Sequence, residues 1–162
     1  MIILAKEIKT NAMRILDKNH VHYDIIQYEC DEFIDGLHTA QKTGAPVAQS
    51  FKTLVAQGKS KQYYVFVIPI AEELLLKQAA KLVGEKSIEL IPVKEITKVT
   101  GYIRGGCTPL GMKKNYPTLI HESAVTYDKI YVSGGKLGCS ISLNPQDLIT
   151  VTKSRVENLT SE

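Results

Sequence analysis

The spacing of hydrophobic and polar residues changes several times along the chain, as expected for short helices alternating with short strands. Apolar residues recur at helical spacing in residues 10–19, which begin with a threonine, a residue type that caps helices. Residues 21–28 then alternate between apolar and polar, which predicts a strand. After an acidic loop, Asp35 is placed to cap a helix over residues 37–43 that Gly44 would close.

The middle of the chain predicts a pair of strands. Residues 50–56 and residues 62–69 are rich in apolar residues and are separated by a polar turn, which indicates a β-hairpin. The second segment is almost wholly apolar, so we expect a central strand that is covered on both faces. Lys52 lies near the start of the first segment, either as a solvated edge residue or as a fixed positive charge at the rim of a pocket.

The second half of the chain predicts three further helices and several strands. Residues 72–83 form the clearest helix, with an acidic first turn, an apolar stripe and Gly84 at its end. Residues 93–99 predict a helix of about two turns, and the Asn144-Pro145 pair starts a last one that runs to about Ile149. Short strands are predicted at residues 88–91, 118–120, 130–133 and 139–143. The polar tail after Thr152 is expected to fray.

These elements predict the fold class α+β. We expect a single compact domain over residues 1–162, with a curved, barrel-like mixed sheet flanked by short helices. No strand–helix–strand series repeats, which argues against a doubly wound fold. No apolar run reaches the roughly 18 residues of a membrane span, and the N-terminus lacks the basic start of a signal peptide. We therefore expect a cytoplasmic protein with no membrane partner.

A glycine-rich stretch in residues 100–111 is the strongest candidate for a functional loop. It contains four glycines and one proline, and it is too poor in apolar residues for a core strand. Gly105 and Gly106 allow positive φ and close approach of another molecule. Backbone N–H groups in such a loop suit a carbonyl oxygen, an oxyanion or a phosphate. The alternative is an ordinary tight connection. A second glycine turn is predicted at residues 133–138.

The net charge is only +3, but basic residues concentrate in two stretches without acids. Residues 36–71 and residues 96–121 contain no Asp or Glu. Their basic residues are Lys42, Lys52, Lys59, Lys61, Lys98, Arg104, Lys113 and Lys114. If the two stretches meet in the fold, they form a positive face around the glycine-rich loop that would attract a polyanion. Otherwise these are scattered, solvated side chains.

The cysteines and histidines point neither to a metal site nor to a disulfide framework. Cys30, Cys107 and Cys139 are odd in number, widely spaced and without a C-x-x-C pair. His20 and His22 could share one side of the first strand, but two histidines without a third ligand are more often surface residues.

Several motifs, taken in order, carry a resemblance to a known family. They are Tyr28-Glu29, Phe51-Lys52-Thr53-Leu54, Val67-Ile68-Pro69, Gly105-Gly106-Cys107-Thr108-Pro109 with its flanks, and Tyr131-Val132-Ser133-Gly134-Gly135-Lys136. The chain resembles the YbaK-type aminoacyl-tRNA deacylases, relatives of the editing domain inserted in bacterial prolyl-tRNA synthetases. The resemblance extends over about residues 10–149. It is nearest to the subgroup of Cys-tRNA(Pro)/Cys-tRNA(Cys) deacylases, which clear cysteine from mischarged proline tRNA.

The resemblance implies the fold of that family and a set of site residues. It assigns catalysis to Lys52, Gly105 and Gly106. It assigns substrate binding to Tyr28, Asp35, Thr53, Cys107, Thr108, Pro109, Ser133 and Ser140. It implies no cofactor and no metal. The implied partner is the 3′ CCA end of an aminoacyl-tRNA, with prolyl-tRNA synthetase as a candidate second partner.

The resemblance also implies chemistry without a nucleophile from the enzyme. The thiol of the substrate's own cysteine attacks the ester carbonyl, which frees the tRNA and leaves a cyclic thioester. The protein then needs mainly to orient the substrate and stabilise the charge on the carbonyl oxygen. Backbone N–H groups of Gly105 and Gly106 would serve the oxyanion, and Lys52 would hold the terminal phosphate or ribose.

Two positions depart from the family pattern, and two other functions remain as alternatives. Some members have an aromatic residue near Asp35-Gly36, and some have an Asp where this chain has Ser140, which bears on amino-acid preference. One alternative is a thiol hydrolase that uses Cys107, with His121 as the nearest histidine in the sequence. The other is a module that binds aminoacyl-tRNA or a synthetase without catalysis.

Overall fold

The computed structural model describes residues 9–30 and 32–161. Its helices are α1 (Asn11–Lys18), α2 (Gly36–Thr43), α3 (Leu76–Val83), α4 (Ile96–Thr100) and α5 (Pro145–Thr152). Its strands are β1 (Tyr23–Gln27), β2 (Phe51–Gly58), β3 (Tyr63–Pro69), β4 (Ile88–Leu90), β5 (Thr118–His121), β6 (Ile130–Lys136), β7 (Cys139–Leu143) and β8 (Arg155–Glu157). The predicted fold class, α+β, is confirmed. None of the described helices combines the length and apolar character needed to cross a membrane.

The strands form two sheets. One has three antiparallel strands in the order β1-β7-β6, and the other has five strands in the order β4-β2-β3-β5-β8. The larger sheet is mixed, as predicted, because β2 pairs antiparallel with β3 and β4 whereas β5 pairs parallel with β3 and β8. In the described residues neither sheet closes into a barrel, so that part of the prediction is corrected. An isolated parallel bridge between Ser50 and Tyr131 joins the two sheets.

The separation of the sheets follows from the pairing of β2. On one side β2 pairs with β3 along residues 51–57. On its other side β2 pairs with β4 only from Ala56 onward. The first half of β2 therefore has an edge without a ladder partner in the described part of the chain. This edge lies between the two sheets, and a cavity opens beside it.

Alternate residues of β3 and β5 are buried in different cores. Val67 and Ile120 belong to the core between the two sheets, which α1 and α5 also cover. Phe66 and Leu119 belong to a second core, in which α3 packs on the other face of the larger sheet. The predicted central strand is thus confirmed, because both of its faces are covered.

The predicted helix caps are also confirmed. Thr10 Oγ1 accepts a hydrogen bond of 3.2 Å from the N–H of Met13 at the start of α1. Asp35 Oδ1 accepts one of 2.9 Å from the N–H of His38 at the start of α2. Gly44 ends α2 with a φ of 75°, the left-handed conformation that glycine adopts without a steric penalty.

The predicted start of α3 and the predicted fraying of the C-terminal tail are both wrong, for a common reason. The helix begins at Leu76 rather than at Glu72, since Leu75 is extended with a ψ of 102°, and the N–H of Leu75 donates to the carbonyl of Leu159 at 2.9 Å. The tail adds β8 to the larger sheet, and Leu159 is fully buried. Burying a leucine side chain contributes about 1.5–3 kcal/mol, which holds this segment in place.

Candidate active site

A pocket of about 550 Å³ opens where the first half of β2 faces β6 and β7. Its volume lies within the roughly 300–1,000 Å³ range of small-molecule sites. Other parts of its wall come from α2 and the loop before it, from residues 90–96 and from the glycine-rich loop.

Eight of the eleven predicted site residues line this pocket. They are Tyr28, Asp35, Lys52, Thr53, Gly105, Cys107, Ser133 and Ser140. Gly106, Thr108 and Pro109 do not line it. The fold therefore brings together residues from four separate stretches of the sequence, and it leaves part of the glycine-rich loop behind the pocket wall.

Lys52 carries the half-buried positive charge of the pocket. Its Nζ lies 3.4 Å from the carbonyl oxygen of Ile70, a long hydrogen bond. Among the described residues, no carboxylate lies within 4.0 Å of this ammonium group. A charge without a protein counter-ion in a pocket wall is available to a bound anion or a developing oxyanion.

Gly105 is the glycine of the loop that faces the pocket. Its φ is 87°, and a Cβ at this position would lie 2.8 Å from Cδ2 of Leu137. Its N–H makes no hydrogen bond to another described residue. The loop is braced from within, because the hydroxyl of Tyr102 donates to the carbonyl of Leu110 at 2.5 Å. A fixed loop with an uncommitted N–H group suits an oxyanion.

Gly106 has a packing role. Its N–H donates to the carbonyl of Ile103 at 2.9 Å, so this donor is already occupied. A Cβ on Gly106 would lie 2.9 Å from the Cα of Lys136, which means that the loop packs directly on the backbone of β6. The Gly106 N–H is therefore removed from the predicted pair of oxyanion donors, and the Gly105 N–H remains a predicted donor.

Thr108 and Pro109 support the loop from outside the pocket. Thr108 is fully buried, and its Oγ1 lies 3.5 Å from the N–H of Leu110. Pro109 is half-buried. The structure thus separates these two residues from the substrate-binding set in which the sequence placed them.

Cys107 is a protonated thiol in the apolar part of the wall. Burial raises its pKa to about 11, against the opposing effect of a hydrogen bond with Thr100. The side chain packs against Val55 and Val99. His121 is hydrogen-bonded elsewhere, with its Nδ1 accepting from the N–H of Leu159 at 3.1 Å. A thiol hydrolase needs a thiolate with a base beside it, and this arrangement provides neither.

Asp35 is an exposed carboxylate at the pocket rim that is engaged in capping α2. The N–H of His38, and then the His38 side chain at 2.8 Å from Asp35 Oδ1, hold the pKa of this carboxyl below its usual value. Its charge is thus shared with the helix start and with the histidine, so Asp35 shapes the rim.

A polar wall faces Lys52 from the smaller sheet. Ser133 and Ser140 are cross-strand partners in β6 and β7, and Ser140 is buried. Ser133 Oγ accepts a hydrogen bond of 3.2 Å from the N–H of Gly135. Tyr28 is held beside them because its N–H donates to the carbonyl of Gly138 at 2.9 Å. In the described residues no three His, Cys, Asp or Glu side chains gather as a metal site.

Comparison with known proteins identifies the family. The model of the aminoacyl-tRNA editing domain matches residues 37–151 of this chain. The chain belongs to the aminoacyl-tRNA editing domain family. The editing domain is 39% identical over 155 residues to the "Putative Cys-tRNA(Pro)/Cys-tRNA(Cys) deacylase EbsC" of Enterococcus faecalis (strain ATCC 700802 / V583), covering 95% of this chain and 94% of the relative. The predicted class of enzyme, an aminoacyl-tRNA deacylase, is confirmed.

Two solved structures share the fold of this editing domain. The first is "Crystal structure of a putative trans-editing enzyme for prolyl tRNA synthetase", at a TM-score of 0.81 and 24% identity over 96% of this chain and 100% of that one. The second, of the hypothetical protein APE2540, has a TM-score of 0.85 and 19% identity over 93% and 99% of the two chains. At these identities the likeness is one of fold.

Sequence reasoning missed the apolar wall of the editing pocket. Phe33 and Arg104 are the most informative missed residues, because the Arg104 guanidinium carbon lies 3.9 Å from the centroid of the Phe33 ring. Ile34, Leu37, Leu54, Ile70, Leu90, Ile91, Val93 and Ile96 also line the pocket. The acid-free window did contain Arg104, but Phe33 lies in a stretch that reads only as an acidic loop.

The predicted meeting of the two acid-free windows is confirmed only in part. Lys52 from one window and Arg104 from the other line the same pocket. Lys59 and Lys61 lie in the turn between β2 and β3, at the opposite end of β2. Lys59 lies seven positions after Lys52 along extended backbone, which corresponds to roughly 24 Å. The positive charge is thus local to the pocket and does not form a continuous face.

Proposed function

We propose that this chain is a trans-editing enzyme that removes cysteine from mischarged proline tRNA. The observation that carries the proposal is one pocket in which Lys52 has no carboxylate partner among the described residues, Gly105 keeps an uncommitted N–H, and Cys107 stays protonated. Such a pocket can orient and polarise a reactive ester, and it offers no activated thiolate of its own. The relative named for cysteine editing, 39% identical, supports the same substrate.

The reaction uses the nucleophile that the substrate brings. The cysteine sulfur attacks its own ester carbonyl carbon, a carbon–sulfur bond forms, and the carbonyl oxygen becomes an oxyanion. The bond between that carbon and the ribose oxygen then breaks, and the proton lost from the thiol ends on the ribose oxygen. The products are tRNA with a free hydroxyl and a cyclic thioester, which water opens to cysteine.

Each part of the pocket serves one need of this reaction. Gly105 N–H donates to the oxyanion, the role for which backbone donors cost no reorganisation. Lys52 holds the ribose or the terminal phosphate and fixes the ester in the attacking geometry. The polar wall of Tyr28, Ser133 and Ser140 receives the amino group and the small side chain. Thr53 and Cys107 complete the wall around them.

The proposal treats residues 1–162 as one editing domain. It places this domain in the cytoplasm, where tRNA is aminoacylated. A pocket of about 550 Å³ can hold the aminoacylated end of a tRNA but not its body, so prolyl-tRNA synthetase is the proposed source of tRNA selection. Equal clearance of Cys-tRNA(Pro) and Cys-tRNA(Cys) by the isolated protein, with preference restored by added synthetase, is the expected result. A strong preference without synthetase would contradict this part.

The decisive test compares Cys-tRNA(Pro) with Ser-tRNA(Pro) in single-turnover deacylation at saturating enzyme. Serine is nearly the size of cysteine, but its hydroxyl is almost never ionised whereas a thiol titrates at about 8.5. We expect the serine ester to be cleared far more slowly. Comparable rates would favour attack by bound water, and no cleavage of either ester would leave a binding module.

Two variants assign the roles within the pocket. Lys52→Ala should lower the single-turnover rate at least roughly tenfold, about 1.4 kcal/mol of transition-state stabilisation. Cys107→Ala should keep most of the activity. The reverse pattern, with Cys107→Ala inactive and Lys52→Ala normal, would restore the thiol hydrolase.

A further inference from the structure

The rim of the pocket carries a second cation whose orientation is fixed. The guanidinium carbon of Arg104 lies 3.9 Å from the centroid of the Phe33 ring, a close cation–π contact. Both side chains are exposed, and 42% of the Phe33 surface is open to solvent. The Phe33 ring and the Arg104 guanidinium therefore meet at the solvent-facing mouth of the pocket.

The contact leaves the hydrogen-bonding edge of Arg104 available. A guanidinium group donates through the N–H groups in its plane, and stacking on a ring uses only its face. Among the described residues, no carboxylate lies within 4.0 Å of Arg104. The planar fork of N–H groups that remains matches the oxygen atoms of a phosphate.

The position of Arg104 relates this fork to the reacting centre. Arg104 directly precedes Gly105, so their Cα atoms are about 3.8 Å apart. The Phe33 ring also covers Gly105, because a Cβ on that glycine would lie 3.1 Å from Phe33 Cδ1. In an aminoacyl-tRNA, one ribose ring separates the 3′ ester from the 5′ phosphate of the same nucleotide. With an ester at Gly105, that phosphate lies within the reach of a side chain as long as that of Arg104.

We propose that Arg104 binds the phosphate that links the terminal adenosine to the rest of the tRNA, with Phe33 holding the guanidinium plane in position. This inference rests on the proposed function, since its ligand is an aminoacyl-tRNA. It divides the work between the two cations of the pocket. Arg104 at the rim takes the phosphate, and half-buried Lys52 is left for the ribose and the ester.

The test measures binding, so that it does not depend on catalysis. The ligand is an RNA hairpin ending in CCA whose cysteine is attached through an uncleavable 3′ amide. A second ligand differs only in an uncharged methylphosphonate at the last linkage. For the wild-type protein we expect the uncharged linkage to weaken binding about tenfold, the loss of one charge-assisted hydrogen bond.

Arg104→Met should lose about the same factor on the charged RNA and nothing further on the uncharged one. It should also lower the slope of log K against log salt by about 0.7, the contribution of one phosphate in a single strand. Arg104→Lys keeps the charge but lacks the planar fork of N–H groups. Its affinity for the charged RNA should lie between those of the wild-type protein and Arg104→Met. Phe33→Leu should weaken binding less than Arg104→Met and only on the charged RNA.

Lys98→Met is the matched control, because Lys98 is an exposed cation of the same acid-free window that does not line the pocket. It should leave affinity and salt slope nearly unchanged. If Arg104→Met loses the same affinity on both ligands, Arg104 stacks on the base instead of binding the phosphate. If Arg104→Met binds the charged RNA as well as the wild-type protein does, Arg104 makes no contact with the RNA. Either result overturns the proposal. Binding of the amide ligand without cleavage of Cys-tRNA would overturn the proposed function alone.

Discussion

The two glycine-rich segments of this protein look alike in sequence but do different work. The first, residues 100–111, brings Gly105 into the pocket with its N–H uncommitted among the described residues. Within the second, residues 133–138, Ser133 alone lines the pocket. The first segment thus brings an uncommitted backbone N–H into the pocket lining beside the Arg104 and Cys107 side chains, whereas the second contributes one serine.

The second segment uses its glycines for close packing against the rest of the fold. A Cβ on Gly134 would lie 2.6 Å from the sulfur of Cys139, and one on Gly138 would lie 2.7 Å from the carbonyl oxygen of Tyr28. Gly135 would meet Thr10, whose hydroxyl donates to the carbonyl of Gly134 at 2.6 Å. A glycine-rich segment therefore indicates that other atoms approach the backbone closely. The structure around each glycine shows whether those atoms belong to the protein or to a ligand site.

The largest effect is expected where the two segments touch. Gly106→Ala would place a Cβ 2.9 Å from the Cα of Lys136, against backbone that cannot move aside cheaply. We expect about 2–3 kcal/mol of destabilisation, or a Tm lower by about 4–12 °C. Because the shifted loop carries Gly105, single-turnover deacylation should fall about a hundredfold.

Thermal melting and deacylation of the same preparation check this prediction. Gly44→Ala is the control, since its Cβ would meet nothing within 4 Å and only its left-handed φ costs about 1–2 kcal/mol. It should keep full activity when folded. A Gly106→Ala protein with normal Tm and deacylation rate would show that the two segments are packed loosely enough to accommodate a Cβ.

The next effect tests whether the first segment acts through its backbone. Gly105→Ala would strain a φ of 87° and press on Phe33 and on the flexible end of Leu137. We expect a loss of about 1–2 kcal/mol in stability and at least about tenfold in single-turnover rate, because the N–H is turned away from the oxyanion. Gly101→Ala has a similar φ of 88° but lies outside the pocket lining. It should lose similar stability and no activity; equal activity of the two variants would count against Gly105 as a donor.

A smaller effect is expected from the side chain that the second segment contributes. Ser133→Ala removes the acceptor for the N–H of Gly135 and one polar group of the pocket wall. One neutral hydrogen bond is worth about 0.5–1.5 kcal/mol, so we expect a rate lower by about threefold. Ser133→Thr, which keeps the hydroxyl, should recover part of it. A loss as large as that of Lys52→Ala would make Ser133 a principal group of the site.

The smallest effect is expected at the one reactive side chain of the first segment. Burial raises the pKa of Cys107 to about 11, so the thiol is protonated at neutral pH and stays so up to pH 9. Cys107→Ala should therefore leave the rate–pH profile between pH 6 and 9 unchanged. Both profiles should rise toward about pH 8.5, as the thiol of the substrate ionises. A profile that flattens in the variant would identify Cys107 as the titrating group.

Local signals in the sequence were sufficient for much of the fold. The cap at Asp35, the glycine that ends α2 and the apolar run of β3 each depend on residues close together in the chain. The motifs that carried the family resemblance supplied six of the predicted residues that line the pocket: Tyr28, Lys52, Thr53, Gly105, Cys107 and Ser133. What a short stretch specifies by its own conformational preferences can be predicted from that stretch.

The errors concern residues whose partners are distant in the sequence. Glu72 reads as an acidic helix start, but the N–H of Leu75 is taken by Leu159 more than eighty residues later. Phe33 reads as part of an acidic loop until the fold brings it against Arg104. In the sequence Gly106 looks equivalent to Gly105, but in the fold it packs directly against the backbone of β6. Long-range packing decides these positions, and one sequence does not display it.

The late position of β8 in the sequence has a consequence for the solubility of a truncated chain. All residues that line the pocket precede residue 141, whereas β5 gains its outer neighbour only when Arg155–Glu157 has been made. A chain without β8 keeps every residue of the pocket lining but leaves one edge of the larger sheet bare, and bare strand edges invite pairing with other chains. A chain that ends at Lys153 should consequently scatter light at concentrations at which the full chain stays clear. If it stays equally clear, β8 is not what protects that edge.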